Sequence, residues 1–323
     1  MTLGSLGLAG CLGSIGGGEG EFPSRNVTVI FGFGEGGGTH RAFESLRPAF
    51  SEALGTEFRL DFRPGAGTQI GLEGILDAEA DGYTIGNATF PHGLFTELIF
   101  DAPYSIPEDF AFLGNQTNDP SAIRIPDDEE RYDDLEGLVQ YARENPGELD
   151  VSTSGPFSVA SLAMVAIERE TGAEFNFVPF DGGSSARSAV ISGEVDLTFT
   201  NVYASLGIAE DSRCIGVFET ENKWADVSDD APPIYDALDI SPEDVPPGSF
   251  SGAHAWATSR EVEDEFPDRL ETLQTAFDDA WHSDTYQNYL EDEGLELWAE
   301  YQSPDDTRQK WEDGKVFYQE WVP

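Results

Sequence analysis

A glycine-rich segment between the first predicted strand and the first predicted helix could bind an anion. Residues 32–39 satisfy the spacing G-x-G-x-x-G and end in Gly-Gly-Gly-Thr. Glycines let the backbone come close to a bound group, and the unpaired N–H groups at a helix start favour negative charge. The segment therefore predicts a site for a pyrophosphate or a carboxylate, and its spacing alone does not choose between them. A purely structural strand-to-helix turn is the third interpretation.

Asp61 makes a dinucleotide site a serious alternative. It ends the next predicted strand, 24 positions after Gly37. In dinucleotide-binding proteins an acidic side chain near this spacing binds the ribose hydroxyls. One hypothesis is therefore a nucleotide-dependent oxidoreductase built on residues 32–37.

Small and polar residues also follow other predicted strands, at 63–67, 88–90, 152–155 and 180–183. Ligands of open α/β sheets bind beyond the carboxyl ends of the strands, so two such units facing each other would form a cleft. The candidate ligand-binding residues are Gly34, Gly36, Gly37, Gly38, Thr39, His40, Gly67, Thr68, Thr89, Phe90, Ser154, Gly155, Phe157, Ser158, Phe180, Asp181, Gly182 and Asn201.

Several of these candidates have a second interpretation. Thr39 could cap the first helix, and His40 could be a surface residue or could pair with a second ligand carboxylate when protonated. Asp181 would repel an anion, so we expect it to point away or to cap the next helix. Asn201 follows a predicted strand, where a contact near a hinge is expected.

Composition excludes other classes of function. The 323 residues include 62 acidic and 17 basic side chains, a formal charge of -45, and nucleic-acid binding needs basic patches. The four histidines and two cysteines show no metal-ligand spacing, and no catalytic constellation follows the glycine segment, so we expect no metal, no cofactor and no enzymatic activity. Cys214 lies in an apolar run and is predicted to be buried.

The acidity is spread along the chain rather than gathered in a tail. Such self-repulsion weakens a compact state in dilute buffer, whereas at molar salt the Debye length falls to about 3 Å. We therefore expect adaptation to high salt, as in a halophilic archaeon. The alternative is one unusually acidic protein from an ordinary organism.

The N-terminus resembles an export and lipidation signal. Leu8-Ala9-Gly10-Cys11 is similar to a lipobox, and the glycines of 13–20 would form a flexible tether. Only ten residues precede Cys11 and none is basic, which leaves two alternatives: a longer signal that begins upstream, or a glycine-rich leader. We expect lipid attachment at Cys11 and an extracytoplasmic protein held to the membrane only by that anchor.

The rest of the chain alternates strands and helices. The predicted strands cover residues 27–31, 58–62, 84–88, 149–153, 175–180 and 195–200, with an extended segment at 112–125. The predicted helices cover residues 41–53, 71–80, 135–144, 159–170, 186–192 and most of 267–321, and residues 226–251 are predicted as a surface loop. This order predicts an α/β fold with parallel strands and right-handed crossovers.

Nine short segments, taken in order, resemble the solute-binding proteins of the tripartite tricarboxylate transporters, the TctC or Bug family. They are Pro-Ser-Arg-Asn-Val-Thr-Val-Ile (23–30), Gly-Gly-Gly-Thr (36–39), Arg-Pro-Gly-Ala-Gly (63–67), Ala-Asp-Gly-Tyr-Thr (80–84), Glu-Asp-Phe (108–110), Asn-Pro-Gly (145–147), Ser-Thr-Ser-Gly (152–155), Val-Pro-Phe (178–180) and Ser-Gly-Glu-Val-Asp-Leu (192–197). The similarity covers nearly all of residues 22–323, including the tail with Trp311 and Trp321.

The resemblance implies a two-domain, periplasmic-binding-protein-like (type II) α/β fold with a hinge and a ligand cleft between the domains. We expect a leader at 1–21, a first domain of 22–121 plus 222–323, and a second domain of 122–221. It also implies capture of a small carboxylate, or a di- or tricarboxylate, for the membrane subunits of a transporter, with the chain acting as a monomer. Service to a sensor kinase is a variant of this function.

The resemblance further implies that backbone amides, hydroxyls and waters bind the carboxylate, with little use of arginine. The sequence departs from the family at four positions. The family usually has aspartate where His40 stands, proline at Gly32 and Glu35, and often histidine at Ser161. These differences bear on which carboxylate is bound and leave the class of ligand unchanged.

Overall fold

A computed structural model of the chain describes residues 22–100, 102–155, 158–180 and 182–320. The strands are β1 (Val27–Phe31), β2 (Phe58–Phe62), β3 (Thr84–Phe90), β4 (Phe110–Pro126), β5 (Asp150–Thr153), β6 (Asn176–Pro179), β7 (Leu197–Asn201), β8 (Ser212–Val217), β9 (Ser251–Ser259) and β10 (Ala299–Gln302). The helices are α1 (Gly38–Leu54), α2 (Gln69–Leu76), α3 (His92–Phe100), α4 (Leu135–Glu144), α5 (Val159–Thr171), α6 (Gly183–Ile191), α7 (Ile234–Leu238), α8 (Arg260–Glu265), α9 (Pro267–His282), α10 (Asp284–Glu293) and α11 (Pro304–Gln319). Short 3₁₀ helices cover Ala66–Thr68, Tyr203–Ile208 and Ala225–Val227.

The strands form a first and a second sheet that share one long strand. The first sheet has the order β2-β1-β3-β9-β4, with β10 also paired to β4. The second sheet has the order β4-β7-β5-β6, with β8 also paired to β4. Residues Phe110–Pro120 of β4 pair with β9, and the following residues pair with β7 and β8. The predicted α/β class is confirmed, and the sheet is mixed: β1, β2 and β3 are parallel, whereas β9 runs antiparallel to β3 and β4.

Apolar periodicity accounts for the way α1 packs on the first sheet. Its buried residues recur at helical spacing, at Ala42, Phe43, Leu46, Ala49 and Phe50. Phe43, Leu46, Ala49 and Phe50 share one apolar cluster with buried residues of β1 and of helix α9, which covers the same face. The helix ends at Gly55, whose φ of 71° is a left-handed conformation that glycine adopts without strain. This packing fixes the start of α1 at the end of β1.

The tail and the predicted loop differ from expectation. Residues 267–320 are not helical throughout, because β10 lies between α10 and α11 and pairs with β4. The strand β9 was not predicted, and the loop 226–251 contains α7 and the buried Ile234 and Phe250. Trp311 is buried and stacks on Phe112 as a core residue, whereas Trp321 lies outside the described residues.

Burial of Cys214 is confirmed, and it raises the pKa of the thiol to about 11. Among the described residues, no helix combines the length and the apolar composition needed to cross a bilayer. Cys11 and the predicted leader fall outside the described part of the chain.

Candidate functional site

A cavity of about 430 Å³ lies between the helices of the first sheet and those of the second. Its volume is within the range of about 300–1,000 Å³ that small-molecule sites occupy. The start of α1 forms one wall, and the starts of α5 and α6 with the end of β7 form the other. Asp119 of β4 and His254 of β9 lie on the two strands that run between the walls. Residues from both sheets therefore enclose one space.

Three helix N-termini contribute backbone to this cavity. Gly37 and Gly38 begin α1, Val159 and Ala160 begin α5, and Gly183 begins α6. The N-cap residues of α1 and α6 are Gly37 and Gly182, and no described side chain accepts a hydrogen bond from the first N–H groups of either helix. Unpaired N–H groups and the positive end of the helix dipole favour a bound anion.

Six of the predicted site residues line the cavity together. Thr39 is buried, and its hydroxyl makes no hydrogen bond with any described residue; the N-cap of α1 is Gly37, so Thr39 does not cap it. The Thr89 hydroxyl donates to Asn87, and the Asn201 amide donates to the Asp119 carbonyl oxygen over 2.6 Å. The six residues are Gly37, Gly38, Thr39, Thr89, Ser154 and Asn201.

Ten predicted residues lie away from the cavity wall, for local packing reasons. Phe90 is buried against Trp311, and Ser158 caps α5 through the N–H of Ser161. Thr68 packs beneath Gly32, where an added Cβ would come within 2.8 Å of it. The ten are Gly34, Gly36, His40, Gly67, Thr68, Phe90, Gly155, Ser158, Phe180 and Gly182. Phe157 and Asp181 lie outside the described residues.

His40 stabilises the glycine segment instead of facing the cavity. Its Nδ1 accepts a hydrogen bond from the Gly36 N–H over 2.9 Å, and its ring packs edge-on against Phe31 and Phe62. Its Nε2 lies 3.6 Å from Glu44. Of the two alternatives for His40, the pairing with a ligand carboxylate therefore has no geometric support, because the ring is directed into the loop.

Charged and titratable residues that sequence analysis missed also line the cavity. They are Arg41, His92, Asp119, Arg187 and His254. Among the described residues, two basic side chains and one acidic side chain line the cavity, whereas acidic residues outnumber basic ones by 62 to 17 in the whole chain. The described wall of the cavity is therefore far less acidic than the protein as a whole. A signal was present, because Arg41 directly follows the predicted residue His40 and Arg187 lies five positions after the predicted residue Gly182. The implied small role for arginine does not fit this arrangement.

The ionisable groups of the cavity are perturbed by burial and by one another. Burial lowers the pKa of the Arg187 guanidinium and the charge of Arg41 lowers it further, with Asp119 acting in the opposite direction. Burial raises the pKa of Asp119 to about 7, against the N–H groups of residues 202–204 and the charge of Arg187. The Tyr203 N–H donates to the Asp119 carboxylate over 3.0 Å. The negative charge of Asp119 is thus weakened at neutral pH.

Both histidines of the cavity are neutral near pH 7. Burial lowers the pKa of His92 to about 4. Burial, followed by the charges of His92 and Arg41, lowers the pKa of His254 to about 4. His254 Nδ1 lies 2.8 Å from the Thr117 hydroxyl, which also accepts the backbone N–H of His254. The Thr117 hydroxyl donates to Nδ1 in the tautomer that carries its proton on Nε2, and it accepts from Nδ1 in the other tautomer.

Replacing His92 with phenylalanine is expected to reduce the loss of stability on acidification. Unfolded histidine titrates near pH 6.5, so the stability associated with the neutral ring is complete above that pH and is lost as the pH falls toward 4. Between pH 7.5 and pH 5, the difference in unfolding free energy between the variant and the wild type should therefore shift by about 2 kcal/mol in favour of the variant. The buried Nδ1 has no partner among the described residues, so the change costs no hydrogen bond there. Urea unfolding at both pH values measures this, and an unchanged pH dependence would contradict it.

The acidic residue that a dinucleotide site would use to bind the ribose does not lie at the cavity. Asp61 forms an ion pair with Arg63 over 2.8 Å and does not line the cavity, and neither does Gly34 of the glycine segment. No group of three or more described His, Cys, Asp or Glu side chains is arranged to hold a metal ion. The geometry favours the carboxylate interpretation of the glycine segment.

Comparison with known families shows which family the chain belongs to. The sequence profile described as "Tripartite tricarboxylate transporter family receptor" (TctC) matches residues 43–225, which is more than half of the chain. The chain belongs to this family. The TctC match spans α1 to the end of β8, and so includes Arg187 and Asn201 but not the glycine segment.

TctC-like relatives include two bacterial proteins. The UPF0065 protein in the tcbD-tcbE intergenic region of Pseudomonas sp. (strain P51) is 31% identical over 201 residues, which cover 61% of this chain and 59% of the relative. Protein BugT of Bordetella pertussis is 26% identical over 187 residues, which cover 57% of each chain. The chain thus spans less than two thirds of the length of either relative.

Solved structures of similar proteins confirm the periplasmic-binding-protein-like fold. A protein of R. palustris, Rpa4515 with adipate, superposes with a TM-score of 0.76 at 24% identity, covering 93% of this chain and 97% of the other. MatC from Rhodopseudomonas palustris with bound malate gives a TM-score of 0.74 at 19% identity, covering 94% and 100%. At these identities the similarity shows the fold, and the ligands belong to those proteins.

Proposed function

We propose that this protein is an extracytoplasmic solute-binding protein that captures a small carboxylate, or a di- or tricarboxylate, for a tripartite tricarboxylate-type transporter. One observation carries the proposal: three helix N-termini and two arginines converge on a cavity whose described wall includes one acidic residue, Asp119. Membership of a receptor family supports the same function. The malate and adipate bound by proteins of the same fold indicate the class of ligand to test.

The proposed mechanism is binding without chemistry. We place a first domain at residues 22–121 plus 222–323 and a second at 122–221, since β4 changes sheets at Ser121. Ligand binding would bring the two walls together through bending of β4 and β9, and the closed form would be recognised by the membrane subunits. This function needs no cofactor and no catalytic residue.

The location and state of the protein are part of the proposal. A lipid on Cys11 would hold a monomer at the outer face of the membrane, and the support is the lipobox-like sequence of residues 8–11. The charge of -45 supports adaptation to high salt. An archaeal source rests on that charge alone, because the two relatives above are bacterial.

A thermal-shift screen tests the function. We expect one or a few organic acids, such as malate, adipate or citrate, to raise the melting temperature, and NAD to leave it unchanged, because only a ligand that binds the folded state stabilises it. The double variant Thr39→Val, Ser154→Val should abolish the shift, since it removes two hydroxyls at opposite walls. Thr28→Val on β1, away from the cavity, is the matched control. Stabilisation by NAD and by no acid would overturn the proposal.

The same melts, repeated in dilute buffer and in molar KCl, test salt adaptation. Screening of 62 acidic groups should raise the melting temperature in KCl. Equal stability in both solutions would argue against it.

A further inference from the structure

Two guanidinium groups approach the cavity from opposite walls. Arg41 lies at the end of the first turn of α1, beside the first sheet, and Arg187 lies at the start of the second turn of α6, beside the second sheet. They are close enough that the positive charge of Arg41 lowers the pKa of Arg187, after the larger effect of burial. The cavity therefore contains a pair of like charges that the fold holds near each other.

Arg187 is not neutralised at contact distance. Its side chain is half-buried and makes no hydrogen bond or ion pair with any described residue. Gly183 leaves space for it, because a Cβ at that position would lie 2.8 Å from Nη1. The acidic residue of the cavity, Asp119, has a pKa raised to about 7 and accepts the Tyr203 N–H. A half-buried cation with no partner among the described residues costs free energy that a bound anion would recover.

Arg41 is held in position from the loop side. Its Nη1 donates to the Gly36 carbonyl oxygen over 2.7 Å, which fixes the guanidinium at the mouth of the glycine segment. The segment itself is tied by the bond from the Gly36 N–H to His40. The loop thus gives Arg41 a defined place, and the residue needs no acidic side chain to order it.

We propose that Arg41 and Arg187 are the charge-selecting residues of the site and that they make it specific for a linear dicarboxylate, one carboxylate lying at each wall. This inference rests on the proposed function, and it specifies in addition how many charges the ligand carries and where each of them binds. A monoanion would neutralise one arginine and leave the other unpaired. A dianion bridging the cavity removes the repulsion between the two cations and gives each a charge-assisted hydrogen bond.

Paired ligands that differ by one charge provide the test. Calorimetric affinities of the full-length protein are measured for malate, citrate and the C4 to C8 linear dicarboxylates, each linear acid alongside its monoamide, with sulfate and phosphate as compact dianions. Salt is held constant. The wild type should bind its preferred dicarboxylate roughly 10- to 100-fold more tightly than the monoamide, the ratio expected from one charge-assisted bond.

Three variants locate the effect. Arg187→Gln and Arg41→Gln should each lower the ratio at least about tenfold while changing monoamide affinity less than about threefold. Arg47→Gln is the matched control, because Arg47 lies on the same helix, pairs with Glu44 and is not at the cavity. Melting temperatures without ligand show whether each variant is folded, and a folded variant that keeps the wild-type ratio overturns the assignment.

The outcomes of this test distinguish failure of the two-arginine inference from failure of the proposed function. If acids bind but the dicarboxylate and its monoamide bind equally, or if sulfate binds as tightly as the best dicarboxylate, the two-ended arrangement is wrong and carboxylate binding stands. If no acid of the panel binds the wild type, both are wrong.

Discussion

Replacing Arg124 with methionine is expected to lower the free energy of unfolding by about 3–5 kcal/mol, because several buried acceptors lose a charged donor at about 1–3 kcal/mol each. Arg124 lies in the part of β4 that belongs to the second sheet, and 1% of the residue is exposed. Its guanidinium donates to the Ser205 hydroxyl over 2.8 Å, to the Ser212 carbonyl oxygen over 2.9 Å and to the Asp229 carboxylate over 3.2 Å. Methionine fills similar space but leaves these acceptors without a donor.

Asp229→Asn is the control, and its effect should be much smaller. The Asp229 side chain is 45% exposed, so water can replace part of what the ion pair contributes, and its oxygen also accepts the Cys214 N–H over 2.7 Å. Chemical unfolding gives the free energies, and hydrogen exchange should locate faster opening in β4, β8 and residues 203–208. Equal losses in the two variants would show that the ion pair, rather than the buried hydrogen bonds, dominates.

Local sequence patterns predict the helices that bury one face and the short strands that are almost entirely buried. The apolar spacing of α1 and the runs of β1, β2 and β3 depend on neighbours close in sequence, and their bounds agree within a few residues. β9 was missed because Ser-Gly-Ala-His-Ala-Trp-Ala-Thr-Ser contains few β-branched residues. It is a strand because β3 and β4 pair with it on both sides. That pairing is set by contacts far apart in the sequence.

The distinction between local and long-range contacts also explains which residues of the site could be predicted. Helix starts after strands are local features, so Gly37, Gly38, Thr39 and Ser154 could be predicted as cavity residues. Which side chains of those helices face inward depends on how each helix lies on its sheet. Arg187 was therefore missed, although its loop was recognised, and neighbouring His40 was predicted in place of Arg41. Asp119 comes from β4, the strand that both sheets share, and His254 comes from its neighbour β9; only the tertiary structure defines their position between the walls.

Replacing Gly71 with alanine is the second change with a large expected effect, about 3 kcal/mol of destabilisation together with weaker ligand binding. Gly71 lies in α2, and a Cβ there would come within 2.5 Å of Gly32 Cα and 2.8 Å of Gly32 N. Both atoms belong to the backbone, so the helix must move away from the end of β1. This clash outweighs the roughly 1 kcal/mol that alanine gains over glycine inside a helix. The displaced backbone begins the segment that carries Gly37, Gly38 and Thr39 to the cavity.

Gly34→Ala is the control that distinguishes a packing clash at Gly71 from the mere loss of a glycine in the loop. A Cβ at Gly34 would meet nothing within 4 Å, and this residue does not line the cavity. Its replacement should change the free energy of unfolding by less than about 0.5 kcal/mol and leave ligand affinity unaltered. In a dinucleotide site the second glycine of the segment would be the sensitive one, because backbone there approaches the pyrophosphate. Strong loss of binding in Gly34→Ala with a tolerant Gly71→Ala would therefore reverse our assignment, since it would place the ligand against the tip of the loop instead of at the start of α1.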